Sequence, residues 1–179
     1  MLGVRIPGVR FSVLSNSERL FETSRTKRGR MYKQILVATD GSPLAGKAVK
    51  AALKLARTIG ARVTAFHVIA PYTPPLYSEG VGYIPITYDP KHYKTATEKH
   101  AKQLLAKVEQ QAHALGVSCS GSFATDALPW DAIIKGARRH HCDLIVMASH
   151  GYRGIKGLLL GSETHRVLTH AKVPVLVIR

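Results

Sequence analysis

What most constrains this chain is a repeated order of patterns. A short, unbroken apolar run is followed by a longer stretch with apolar residues at helical spacing. This happens four times, and one more apolar run closes the chain. Ile35-Leu36-Val37-Ala38 is the first run, and apolar positions 45, 49, 52, 53, 56 and 59 follow it at helical spacing. Arg62 to Ile69 is the second run, and a long helix is predicted from Pro90 to Leu115, with Thr97, Ala101, Leu104, Leu105, Val108 and Ala112 on its inner face. Val117 to Ala124 is the third, before a helix opened by Pro129 with Trp130, Ile133, Ile134 and Ala137 facing inward. Asp143 to Met147 is the fourth, a short helix then carries Val167, Leu168 and Ala171, and Val173 to Ile178 is the last strand. Strands that are apolar throughout, rather than alternating, belong to a parallel sheet covered on both faces. The expected class is α/β: a doubly wound, five-stranded parallel sheet with helices on both sides.

The punctuation agrees with the periodicity. Ser42 is placed to cap the first helix, Pro43 to open it and Gly60 to stop it, while Gly116 ends the long helix. Pro71 to Pro90 is a long connection with five prolines and four tyrosines (Tyr72, Tyr77, Tyr83, Tyr88), the kind that serves as a lid, an interface or a mobile segment. Residues 1–30 show neither period and are read as a disordered basic extension ahead of a domain at 31–179, or as the product of a start codon upstream of Met31. Being basic, serine-containing and poor in acids, they also suit a transit peptide, but they lack the apolar core of a secretory signal.

The formal net charge of +15 invites a nucleic-acid reading. Residues 1–30 hold seven Lys/Arg against two Glu, and the rest still carries about +10. Those charges are spread over helix faces (Lys47, Lys50, Lys54, Arg57; Lys99, Lys102, Lys107) with no interleaved aromatic signature, so no sequence-specific nucleic-acid partner is expected. No apolar run is long enough for a membrane span, and none is expected. Cys119 and Cys142 lack C-x-x-C spacing and read as reduced thiols within strands of a cytoplasmic protein. Among the histidines, His140 and His141 are adjacent and His165 and His170 are five apart, so neither pair has the spacing of a helical zinc pair and no metal site is expected.

Gly41-Ser42-Pro43-Leu44-Ala45-Gly46-Lys47-Ala48 nearly spells a phosphate loop. It fails on chemistry, because Ala48 lacks the magnesium-binding hydroxyl and Pro43 removes an N–H from the cradle. No Ser-His arrangement has the nucleophile-elbow pattern, and no catalytic residue is assigned. The stronger candidate is Met147 to Glu163: a strand end, then glycines at 151, 154, 157 and 161, then a helix start at Gly161-Ser162. Glycines admit close approach of an anion to the backbone, and a helix N-terminus offers unpaired amides and a positive dipole end. In a doubly wound sheet the loops after the first and fourth strands meet at a crevice, which would bring Asp40 toward Gly161.

Several separated segments resemble the universal stress protein family: Ile35-Leu36-Val37-Ala38-Thr39-Asp40-Gly41-Ser42, Ala65-Phe66-His67-Val68, Asp143 through Gly151, Leu159-Leu160-Gly161-Ser162, and Val173-Pro174-Val175-Leu176-Val177. The likeness covers nearly all of residues 32–179. The nucleotide-binding branch is marked by G-x2-G-x9-G-[ST]; Gly151, Gly161 and Ser162 match it, and Ala148 replaces the first glycine. The resemblance implies a Rossmann-like fold with an adenine nucleotide, ATP or AMP/ADP with accompanying Mg2+, in the crevice. It implies Thr39 and Asp40 beside the ribose, Val68 meeting adenine through its backbone, and Gly151, Gly161, Ser162 and Thr164 at the phosphates. Arg153 and Lys156 add positive charge by loop chemistry, and Ala38, Met147, Ala148, His150 and Glu163 complete the candidate set. The family pairs through its last strand, and an apolar edge at 173–178 independently calls for a partner, so a homodimer is expected. The implied role is a nucleotide-dependent regulator in stress response. The alternatives are a slow ATPase or nucleotidyl transferase in the same crevice, and a structural dimer without nucleotide.

Overall fold

A computed structural model describes residues 31–73, 89–150 and 160–179. Strand β1 (Gln34–Ala38) leads into helix α1 (Pro43–Ile59), then β2 (Arg62–Ile69), α2 (Pro90–Ala114), β3 (Cys119–Thr125), α3 (Pro129–Arg139), β4 (Leu144–Ala148), α4 (Ser162–His170) and β5 (Val175–Ile178). The five strands form one sheet in the order β3-β2-β1-β4-β5. Every pairing is parallel, with Val37 opposite both Ala65 and Val146. The chain therefore winds outward from β1 through β2 to β3, crosses back to β4 on the other side of β1, and ends at β5.

Pleating divides the apolar runs between two cores. Ile35 and Val37 of β1, with Leu144, Val146 and Ala148 of β4, pack against α1 and α2 through Val49, Leu53, Leu105 and Val108. Leu36, Ile145 and Met147 point the other way and pack with Ile133, Ala137 and Val167 of α3 and α4. Ile35, Leu36, Val37, Ile145 and Val146 are completely buried, which is why β1 and β4 show no polar alternation.

The helix boundaries follow their caps. Ser42 Oγ accepts a hydrogen bond from the Ala45 amide at 3.1 Å and Pro43 occupies the first turn, while Gly60 takes the left-handed conformation, φ 70°, that ends α1. Asp89 caps α2 by accepting from the Lys91 amide at 2.9 Å. Before β1 and β4, the Asp143 carboxylate accepts from the Lys33 and Gln34 amides at 2.7 and 3.0 Å, pinning the starts of the two central strands together.

Several predicted details shift. The inner face of α3 is Ala132, Ile133, Gly136 and Ala137, with Trp130 and Ile134 only half-buried. The helix lies so close to Phe66 that a Cβ on Gly136 would sit 2.7 Å from its ring, so that position of the inner face requires glycine. Leu168 is 43% exposed, because α4 turns Thr164 and Val167 to the core instead. Cys142 precedes β4 in a turn rather than lying within a strand. The connection at residues 74–88 and most of the glycine loop, 151–159, lie outside the described residues, as does 1–30. No described helix is long and apolar enough to cross a membrane.

Candidate functional site

The winding reverses between β1 and β4, so the crevice of a doubly wound sheet opens at their carboxyl ends. Two connections leave there: Thr39-Asp40-Gly41 after β1, and Ser149-His150 after β4. Thr39 is tied down on both sides. Its amide donates to the Phe66 carbonyl at 2.9 Å, and its carbonyl is bonded to His67 Nδ1 at 2.8 Å. Its hydroxyl accepts from the Gly41 amide at 3.2 Å, and Asp40 Oδ1 accepts from the Ser42 amide at 3.0 Å. Gly41 has φ 80°, and this left-handed residue turns the chain into α1. Thr39 is buried, Asp40 half-buried, and both are held by local hydrogen bonds before any ligand arrives.

Across the crevice, the Gly161 amide donates to the Ser149 carbonyl at 2.7 Å, and Thr164 Oγ1 donates to the Ala148 carbonyl at 3.0 Å. These two bonds draw the start of α4 onto the end of β4. A Cβ on Gly161 would lie 3.2 Å from the Ser149 carbonyl oxygen and 3.3 Å from His150 Cα, so close approach, not a left-handed φ, requires glycine there. The first amide in the α4 ladder is that of His165, which donates to the Gly161 carbonyl at 2.9 Å. The amides of Ser162, Glu163 and Thr164 precede it, and among the described residues no side chain caps this helix. That leaves a helix start of the kind that can receive an anion, next to the end of β4.

The candidate residues thus divide by position. Thr39 and Asp40 follow the end of β1 and His150 follows the end of β4. Gly161 and Ser162 are tied to the end of β4 by the Gly161–Ser149 bond, and Ala38 and the half-buried Val68 lie at the ends of neighbouring strands. Met147 and Ala148 are buried in opposite cores, and Thr164 is 2% exposed with its hydroxyl spent on β4. Glu163 turns to another helix: its carboxylate accepts from the Trp130 amide at 2.9 Å, at the start of α3, where no local side chain supplies a cap. Arg166 lies 3.9 Å from the other carboxylate oxygen. This draws a negative charge away from the amides of α4, a role that sequence spacing did not reveal. His150 Nδ1 is bonded to the fully buried Ser149 hydroxyl at 2.8 Å. Gly151, Arg153 and Lys156 lie outside the described residues.

Neither thiol competes as a reactive centre. Burial pushes Cys142 up to about 11 and raises Cys119 as well, so both stay protonated at neutral pH. An open groove of about 580 Å³ lies at the other end of the sheet, lined by Glu109, His113 and Cys119. Glu109 is already engaged there by the Gly121 amide at 2.6 Å.

A model of the universal stress protein family matches residues 31–179. The chain belongs to that family. A universal stress protein of Methanocaldococcus jannaschii is 31% identical over 149 residues, covering 83% of each chain. The universal stress protein UspA from Lactobacillus plantarum superposes with a TM-score of 0.69 at 26% identity, over 83% of this chain and 98% of that one. More distant members share the fold: one from Archaeoglobus fulgidus in complex with dAMP (TM-score 0.59, 21% identity, 83% and 98% covered) and one from Arabidopsis thaliana with AMP bound (TM-score 0.57, 20% identity, 82% and 90% covered). This universal stress protein has the Rossmann-like α/β fold of its relatives.

Proposed function

We propose that this universal stress protein binds an adenine nucleotide, ATP foremost, in the crevice between β1 and β4 and acts as a nucleotide-dependent regulator. The observation that carries the reading is the uncapped start of α4, held against the end of β4 by the Gly161–Ser149 bond. Its Ser162 to Thr164 amides are the natural donors to phosphate oxygens, with the dipole of α4 behind them. Thr39 and Asp40 would flank the ribose, and the backbone at Val68 is the expected contact for the base. Nucleotides bound to distant relatives support the same reading. ATP brings the polyphosphate charge, with Mg2+ as its companion ion; the residues named here bind and orient it.

Pairing between two copies along β5 belongs to the same proposal. β5 is an edge strand, and Leu176 is 39% exposed on it. Titration of the full chain with ATP in a calorimeter, with and without Mg2+, tests the binding reading. Heat of binding with millimolar or tighter affinity is expected, with phosphate release slow over minutes. No heat at millimolar nucleotide would leave the structural-dimer reading, and several turnovers per second would make the protein an enzyme.

A further inference from the structure

The two helical layers of the sheet differ sharply in charge. α1 and α2, on one side, carry nine Lys/Arg against Glu98 and Glu109, whereas α3 and α4, on the other, carry four against Asp131 and Glu163. Both Glu residues of the basic layer are engaged, Glu98 lying 3.9 Å from Lys94 and Glu109 accepting from the backbone of β3. α1 is the extreme case. None of its 17 residues is acidic, and Lys47, Lys50, Lys54 and Arg57 follow one another at spacings of three and four. That spacing sets them in one stripe about 15 Å long. All four are exposed, and among the described residues none forms an ion pair with a carboxylate.

We propose that this face of α1, with the lysines of α2 beside it, docks the phosphate backbone of a nucleic acid by charge alone. The stripe spans a length over which duplex DNA presents roughly nine phosphates, more than enough to engage every cation. α1 carries no aromatic residue to stack on a base, which agrees with the absence of a sequence-specific signature and leaves the contact blind to sequence. A lipid surface fits less well. Helices that lie on bilayers insert an apolar face, and the apolar face of α1 is already buried against the sheet through Val49, Leu53 and Ala56. The inference is independent of the nucleotide crevice, which draws on α4 and the strand ends.

The test is fluorescence anisotropy of a labelled mixed-sequence duplex with the full chain, between about 50 and 200 mM salt. Lys50→Gln/Lys54→Gln/Arg57→Gln is compared with Lys135→Gln/Arg138→Gln/Arg139→Gln, which removes the same charge from the opposite layer. The α1 triple variant should bind roughly tenfold more weakly or worse and flatten the salt slope by about 2–3, while the α3 variant stays within about twofold of the parent. Equal losses in both variants would mean that net charge acts without a surface, and would overturn the proposal. So would a parent protein whose binding ignores salt, or one captured more tightly by phosphatidylserine vesicles than by the duplex.

Discussion

Two helix starts flank the crevice, and they are opposites. α1 begins with a motif close to a phosphate loop, yet its own residues close it: the Ser42 hydroxyl takes the Ala45 amide, and Pro43 has no amide to give. α4 begins at Gly161-Ser162, where the glycine pattern ends; among the described residues no side chain caps its first amides, and its start is drawn tight against β4. A helix N-terminus binds anions only where its donors are unspent. The difference teaches that a motif resembling a phosphate loop has to be weighed against which of its amides are already used.

The largest effect should come from crowding the open end. In Gly161→Val the side chain meets the Ser149 carbonyl and His150, pushing α4 away from β4 rather than filling the phosphate position itself. Overpacking of roughly 1–3 kcal/mol corresponds to a loss of ATP affinity of about fivefold to 150-fold by calorimetry. Unchanged affinity would place the nucleotide elsewhere. Next comes Ser42→Ala at the closed end, which should cost about 1 kcal/mol of stability in urea unfolding while ATP affinity holds. A parallel loss of affinity would show that the two ends are not separate.

Alkali should distinguish the chain leading into β4 from the chain leading into β1. Cys142, just before β4, has its thiol raised by burial from 9.0 to about 11. Between those values the unfolded chain loses the proton and the folded one keeps it, so stability falls as pH rises from about 9 toward 11. Melting curves of Cys142→Ala over this range should fall less steeply than those of the parent; equal slopes would assign the alkaline loss to other groups. The smallest effect is none. Lys47→Ala should leave ATP affinity unchanged, where a true phosphate loop would lose its main cation, and a large loss would restore the motif that Ser42 and Pro43 argue against.

Much of the architecture was legible because its causes are local. Strand β2 is the predicted Arg62–Ile69, and the cap residues Ser42, Pro43 and Gly60 bound α1 as expected, since periodicity and capping act within a few residues. The face of α3 was read correctly at Ile133 and Ala137, but Gly136 was missed because its neighbour Phe66 is far away in sequence. Proximity to that ring, not the helix's own hydrophobicity, requires a residue without a side chain at Gly136. The neighbourhood of the candidate site was legible in outline, in that β1 and β4 are adjacent parallel strands. What sequence could not convey was the use of individual groups. The Gly161 amide goes to Ser149, and Glu163 reaches Trp130 of another helix, 33 residues away. Backbone partners and cross-helix caps leave no pattern in the sequence.

The Ser149 amide, at the mouth of the crevice, donates at 2.8 Å to the carbonyl of Ile178 in the outermost strand. That bond extends the β4–β5 ladder by one step, so the proposed rim for a nucleotide and the proposed border for a second copy are parts of one hydrogen-bonded unit. If the chain both pairs and binds a nucleotide as proposed, any coupling between the two would be reciprocal: whatever tightens one would tighten the other by an equal free energy. Measuring the dissociation of paired copies with and without ATP would read that exchange directly, and identical values would show the bond to be a mere strut.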